Sequence, residues 1–65
     1  MHYRRLGRSG VQVSEIAYGS WLTGNAGAAE ASIACHRRAF ELGINCFDTA
    51  DAYAGGEAER IVGRV

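Results

Sequence analysis

GINCFDTADAY, residues Gly43–Tyr53, carries a short strand pattern that ends on a carboxylate, with a tyrosine five residues further on. From Ile44 to Asp48 the two-residue period of an extended chain puts Ile44, Cys46 and Asp48 on one face. Asn45, Phe47 and Thr49 share the other. An aspartate at the end of an apolar strand has lost hydration and needs a cation or hydrogen-bond donors beside it. Asp48 can cap the loop, with Asp51 in an Asx turn and Thr49 bonding locally. It can also be one half of a chemical site whose other half is Tyr53.

Upstream of that stretch, residues Ala28–Leu42 read as a helix that Gly43 ends in a left-handed conformation. Gly27 stands at its N-cap, with Glu30 in the first turn, where a negative charge suits the helix N-terminus. The predicted inward arc is Cys35, Ala39, Phe40 and Leu42, with Ile33 at one edge and His36 near it as a packed or edge residue. Glu30, Arg37 and Glu41 lie opposite, and Arg37 with Glu41 has the spacing of an i,i+4 ion pair. Downstream, a second helix starts near Gly56, with Glu57 and Glu59 in its first turn and Ile61, Val62 and Val65 on its apolar side.

At the start of the chain, Tyr3–Leu6 and Val11–Val13 flank Gly7-Arg8-Ser9-Gly10, which is a hairpin signal. Arg4, Arg5 and Arg8 on it read as a solvated face. Ser14–Gly19 reads as a strand in which Ile16 and Tyr18 alternate with Glu15 and Ala17, and Gly19-Ser20-Trp21 ends it. The glycine permits either an unusual backbone angle or the close approach of a ligand, and the tryptophan offers a flat apolar wall. Residues Leu22–Ala28 form a loop rich in glycine and alanine.

The order is therefore hairpin, strand, helix, strand, start of helix. Two strands separated by a helix pair in parallel through a right-handed crossover. Gly19–Trp21 and Asp48–Tyr53 both follow strands, so both stretches lie at the C-terminal ends of a parallel pair. Neither G-x-G-x-x-G nor G-x-x-x-x-G-K-[ST] occurs, which leaves Rossmann and P-loop nucleotide sites without support.

With 65 residues, 48% hydrophobic and 22% charged, the composition is that of a globular segment. A formal net charge of zero gives no electrostatic footprint for nucleic acid or an anionic membrane surface. No apolar run approaches the ~20 residues that span a bilayer, and the polar, basic start does not read as a secretory signal. These features place the chain in the cytoplasm. Cys35 and Cys46 read as small buried residues, not as a disulfide framework, and no metal-ligand spacing is present.

FDTADAY followed by AGGEAERIVG resembles the second strand and following loop of the aldo-keto reductases. YRRLGRSGVQVS, AYGSW at Ala17–Trp21 and RRAFELGIN at Arg37–Asn45 extend the resemblance over nearly the whole chain, in the family's order. The branch it most resembles contains the bacterial relatives of potassium-channel beta subunits. The resemblance implies an α/β fold, the N-terminal portion of a (β/α)8 TIM barrel, with residues 1–65 supplying a hairpin and then β-α-β-α. A complete barrel needs about 250 residues, so the chain reads as the first part of a longer enzyme.

The resemblance also implies a chemistry: NAD(P)H-dependent reduction of an aldehyde or ketone, with NADPH favoured over NADH. Carbonyl reduction needs a proton for the oxygen. A phenol is a poor acid near neutrality and needs a neighbouring cation to stabilise the phenolate, with an anion holding that cation in place. By resemblance Tyr53 is the proton donor, and Asp48 pairs with a lysine from a later strand. Gly19, Ser20, Trp21 and Asp48 lie at the cofactor, and Trp21 and Tyr53 at the substrate. No metal is implied, and the resemblance allows an oligomeric parent. The chain departs from the family pattern in two respects. All seven basic residues are arginine, and neither His2 nor His36 stands where the family's catalytic histidine does. These 65 residues alone are therefore expected to be inactive. Two further readings are a cofactor-binding regulatory protein and a truncated product without function.

Overall fold

A computed structural model describes residues 1–21 and 27–65. The glycine- and alanine-rich loop predicted at Leu22–Ala28 lies, for residues 22–26, outside the described residues. Strand β1 (Tyr3–Arg5) and strand β2 (Gln12–Ser14) form an antiparallel hairpin with Tyr3 opposite Ser14 and Arg5 opposite Gln12. Its turn is closed by the Leu6 amide on the Val11 carbonyl at 2.8 Å and by the Ser9 hydroxyl on the Leu6 carbonyl at 2.6 Å. Strand β3 (Tyr18–Gly19), helix α1 (Ala29–Glu41), strand β4 (Phe47–Asp48) and helix α2 (Glu57–Arg64) follow. Strands β3 and β4 pair in parallel through α1, as the strand–helix–strand order requires.

The two strands are shorter than their sequence patterns, and the reason lies in two side chains. Ser14, predicted to open β3, instead closes β2, and its amide donates to Asn45 Oδ1 at 2.7 Å. In return the Asn45 amide donates to Ser14 Oγ at 3.1 Å, and Asn45 Nδ2 donates to the Gln12 carbonyl at 3.1 Å. Ile44, predicted to open β4, sends its amide back to the Ala39 carbonyl at 3.0 Å, closing the end of α1. The parallel ladder therefore runs only from the Tyr18 amide on Cys46 to the Ser20 amide on Asp48, at 2.9 and 3.0 Å.

Helix α1 packs on α2, and Ile33 and Ala39 of the first and Ala58 and Ile61 of the second are buried. The buried stripe of α1 is Ile33, His36 and Ala39, at three-residue spacing, which differs from the predicted arc. His36 is fully buried, whereas Cys35, Phe40 and Leu42 are exposed. His36 is accommodated because Nδ1 donates to the Ser32 carbonyl one turn back, at 2.7 Å, while its ring lies against Tyr18 and Phe47. The predicted Arg37–Glu41 pair is replaced by Arg38–Glu41 at 3.2 Å, and Arg37 reaches the Arg64 carbonyl at the end of α2. Ala28, not Gly27, is the N-cap of α1. Cys46 is half-buried, and on α2 Ile61 is buried while Val65 is exposed.

Gly43 does end α1 in the left-handed region, with φ at +99°. The Tyr3 hydroxyl donates to the Gly43 carbonyl at 2.6 Å, so the hairpin is fastened to the junction between α1 and β4. A Cβ at Gly43 would stand 2.9 Å from Tyr3 Oη and 3.1 Å from Met1 Cβ. Gly43→Ala is therefore expected to destabilise the full-length polypeptide by about 1–3 kcal/mol, read as a shift in its denaturation midpoint. Tyr3→Phe in the same background removes the nearer contact but leaves the φ strain and forfeits the bond to the Gly43 carbonyl, so it restores at most part of the loss. A Gly43→Ala protein as stable as the parent would contradict this backbone assignment.

Candidate active site

Parallel pairing sets Tyr18 opposite Phe47 and Gly19 opposite Asp48. Because side chains alternate along a strand, the first pair and the second face opposite ways. Tyr18 and Phe47 turn to α1, where the Tyr18 and His36 ring centroids are 4.4 Å apart and Phe47 stacks on His36 at 5.8 Å. Burial raises the pKa of the Tyr18 phenol above the ordinary tyrosine value, and the charge and hydrogen bond of nearby Cys35 raise it further. Tyr18 is thus held as a neutral packing residue under the strand ends.

On the other face, Asp48 is exposed, although the apolar strand around it predicted a desolvated carboxylate. Its side chain has no hydrogen-bond partner among the described residues. Gly19 beside it does not adopt a left-handed angle, which removes one of the two reasons for a glycine here. The other reason stands: a Cβ added at Gly19 meets nothing within 4 Å, so the backbone is open to a close approach. Trp21 follows with 71% of its surface exposed. The residue between them, Ser20, is fully buried, and its hydroxyl donates to the Asp48 carbonyl at 2.6 Å.

Tyr53 is half-buried at the start of the turn Tyr53–Gly56, its amide held by the Ala50 carbonyl at 3.2 Å. The turn is sharp because Ala54, Gly55 and Gly56 all adopt left-handed angles, with φ of 51°, 65° and 95°. It reverses the chain directly into α2, whose first turn carries Glu57 and Glu59. Gly19, Trp21, Asp48 and Tyr53 thus all lie on or just after the C-terminal ends of β3 and β4. The structure brings Gly19 and Asp48 side by side, and no hydrogen bond joins Asp48 to Tyr53 among the described residues.

An apolar concavity of about 510 Å³ lies between α1, α2 and β4, lined by Phe40, Phe47, Val62 and Val65. It shares no residue with the strand-end cluster, so it is a packing surface of the helix layer. Among the described residues, no group of three or more His, Cys, Asp or Glu side chains could hold a metal ion, and no helix is long and apolar enough to cross a membrane. Two residues that tie the site together, Asn45 and Ser20, were not singled out for that role by the sequence. Asn45 carries a usable signal, since asparagine is depleted inside strands unless its amide has a task.

The described residues form a parallel strand pair joined by a helix, with a hairpin before it and polar residues at the C-terminal strand ends, as in one unit of an α/β fold. The aldo/keto reductase family model matches residues 15–65, and the chain belongs to that family. It is 43% identical over 65 residues to a protein of Oryza sativa subsp. japonica named as a voltage-gated potassium channel subunit beta, covering 98% of this chain and 20% of the relative. A similarly named protein of Schizosaccharomyces pombe is 47% identical over 64 residues, covering 95% of this chain and 19% of the relative. The fold matches the crystal structure of a thermostable aldo-keto reductase in complex with the inhibitor epalrestat. That match has a TM-score of 0.88 and 29% identity over 98% of this chain and 25% of that one. The chain therefore spans about a fifth of the length of these curated relatives.

Proposed function

We propose that the full-length polypeptide carrying this segment is an NAD(P)H-dependent oxidoreductase that reduces aldehydes or ketones to alcohols, with NADPH as its cofactor. The observation that carries the reading is the Gly19–Asp48 register, which sets an open glycine backbone and an exposed carboxylate side by side at the strand ends. A nicotinamide ring needs such a place: flat, approachable from the backbone, with an apolar wall nearby, which Trp21 supplies. The residues present fit that end of the cofactor.

When bound, the cofactor supplies hydride to the carbonyl carbon. Tyr53 donates the proton to the carbonyl oxygen, and Trp21 with Tyr53 bounds the substrate. Asp48 anchors the cation that stabilises the Tyr53 phenolate, a lysine contributed from beyond these 65 residues. Gly19 and Trp21 shape the cofactor's seat together with Asp48, while Ser20, expected there by resemblance, lies buried behind them. The segment alone is inactive, because it lacks the cation that makes a phenol a usable acid.

Asp48→Asn in the full-length polypeptide is the test. It preserves shape while removing the charge that holds the cation, so turnover is expected to fall by about 10²-fold, with a smaller loss of NADPH affinity. Steady-state NADPH oxidation with a short aldehyde series reads the first, and fluorescence titration reads the second. Unchanged turnover would remove Asp48 from the mechanism. The names of the two relatives favour a second reading, a cofactor-binding channel beta subunit with little turnover.

A further inference from the structure

We propose that Ser20 serves the reaction through Asp48, as a positioning residue whose hydroxyl fixes the backbone from which the carboxylate projects, and not through the cofactor. The inference rests on the carbonyl-reductase reading and deepens it. Asp48 carries its charge into solvent with no side-chain hydrogen bond among the described residues, so its location depends on its backbone. That backbone ends a strand only two residues long, where fraying is easiest. One carbonyl there receives two donors from one residue: the Ser20 amide at 3.0 Å and the Ser20 hydroxyl at 2.6 Å. A carbonyl oxygen has two lone pairs, and both are engaged.

The hydroxyl is committed to this use. Ser20 has no exposed surface, although Gly19 before it and Trp21 after it are both exposed. Alternation explains the difference, since Ser20 points to the helix side, as Tyr18 does, while Asp48 points the other way. An alanine here keeps the amide donor and loses the hydroxyl. It frees the last peptide of β4 to rock and smears the carboxylate's position relative to its cation. Misplacement of a group that must be held within a fraction of an ångström lowers turnover without changing which atoms bind cofactor.

Two measurements on the full-length polypeptide test this. In the wild-type protein, the Ser20 hydroxyl proton is expected as a distinct, slowly exchanging NMR resonance that NADPH addition leaves in place. A proton that exchanges freely, or one that moves when NADPH binds, overturns the proposal, and this reading needs no variant and no turnover. In kinetics, Ser20→Ala is expected to lower kcat about tenfold while the Kd for NADPH stays within about twofold, and Ser20→Thr restores kcat. In an Asp48→Asn background, Ser20→Ala adds little further loss, because the group it positions is already disabled. A Ser20→Ala protein with intact kcat at saturating cofactor and about tenfold weaker NADPH binding assigns the hydroxyl to the cofactor instead. Unchanged kcat and Kd also overturn the proposal. If the wild-type protein reduces no carbonyl, the functional reading fails while the hydroxyl resonance still decides the role of Ser20.

Discussion

Replacing Tyr53 with phenylalanine in the full-length polypeptide is expected to lower carbonyl reduction by at least ~10²-fold, the scale of a lost general acid, while NADPH binding persists. The change removes one hydroxyl and keeps the ring, so packing of the half-buried side chain at the head of the Tyr53–Gly56 turn is retained. The turn itself is set by backbone angles at Ala54, Gly55 and Gly56, none of which depends on the phenol oxygen. A loss confined to kcat, with an unchanged Kd for NADPH and an unchanged melting temperature, assigns the oxygen to proton transfer. Near wild-type turnover would make Tyr53 a packing residue and remove the proton donor from the mechanism.

The second large effect concerns the 65 residues in isolation, which are expected to show no cooperative thermal transition and to self-associate. Domains of this size bury only about 60% of their unfolded surface. Here much of the apolar material lies outside the small Ile33–Ala39–Ala58–Ile61 core: Phe40 is 64% exposed, Leu42 56% and Trp21 71%. The β3–β4 ribbon has two strands and therefore two unpaired edges, which invite pairing with other chains. Ordering each residue costs about 1–2 kcal/mol, and the surface ion pairs Arg38–Glu41 and Arg60–Glu57 offset little of it. Circular dichroism melting with sedimentation velocity checks this. A sharp transition from a monodisperse monomer would mean that the helix pair and hairpin suffice as a domain.

Element order and parallel pairing were legible because they rest on glycine punctuation and on period, both strong in GINCFDTADAY and in the helix before it. Strand limits were not, because Ser14 and Asn45 exchange side-chain and backbone hydrogen bonds where a regular ladder would have run. His36, expected as a packed or edge residue of α1, is packed. Its Nδ1 is satisfied within its own helix and the ring lies against Tyr18 and Phe47, while Nε2 is buried without a hydrogen-bond partner among the described residues. Phe40 and Leu42 were read as core because an apolar residue on a helix implies a partner; in an eight-stranded barrel such partners come from further elements. At the site, Asp48 and Gly19 were legible as residues at strand ends, and their direct opposition needed the register. The hydroxyl of Ser20 was not legible, since nothing in a sequence tells a serine that faces a ligand from one that holds the neighbouring strand.

Hydride transfer from the proposed cofactor to a carbonyl can be followed by an isotopic label. The full-length polypeptide is incubated with NADPH deuterated at nicotinamide C4 and an aldehyde, and the alcohol is analysed by mass spectrometry. Hydride transfer by the wild-type protein is expected to put deuterium on the carbinol carbon, with transfer at least ~10²-fold slower for Tyr53→Phe. Tight NADPH binding with no deuterium in any alcohol would contradict it and leave a cofactor-binding regulatory protein in its place.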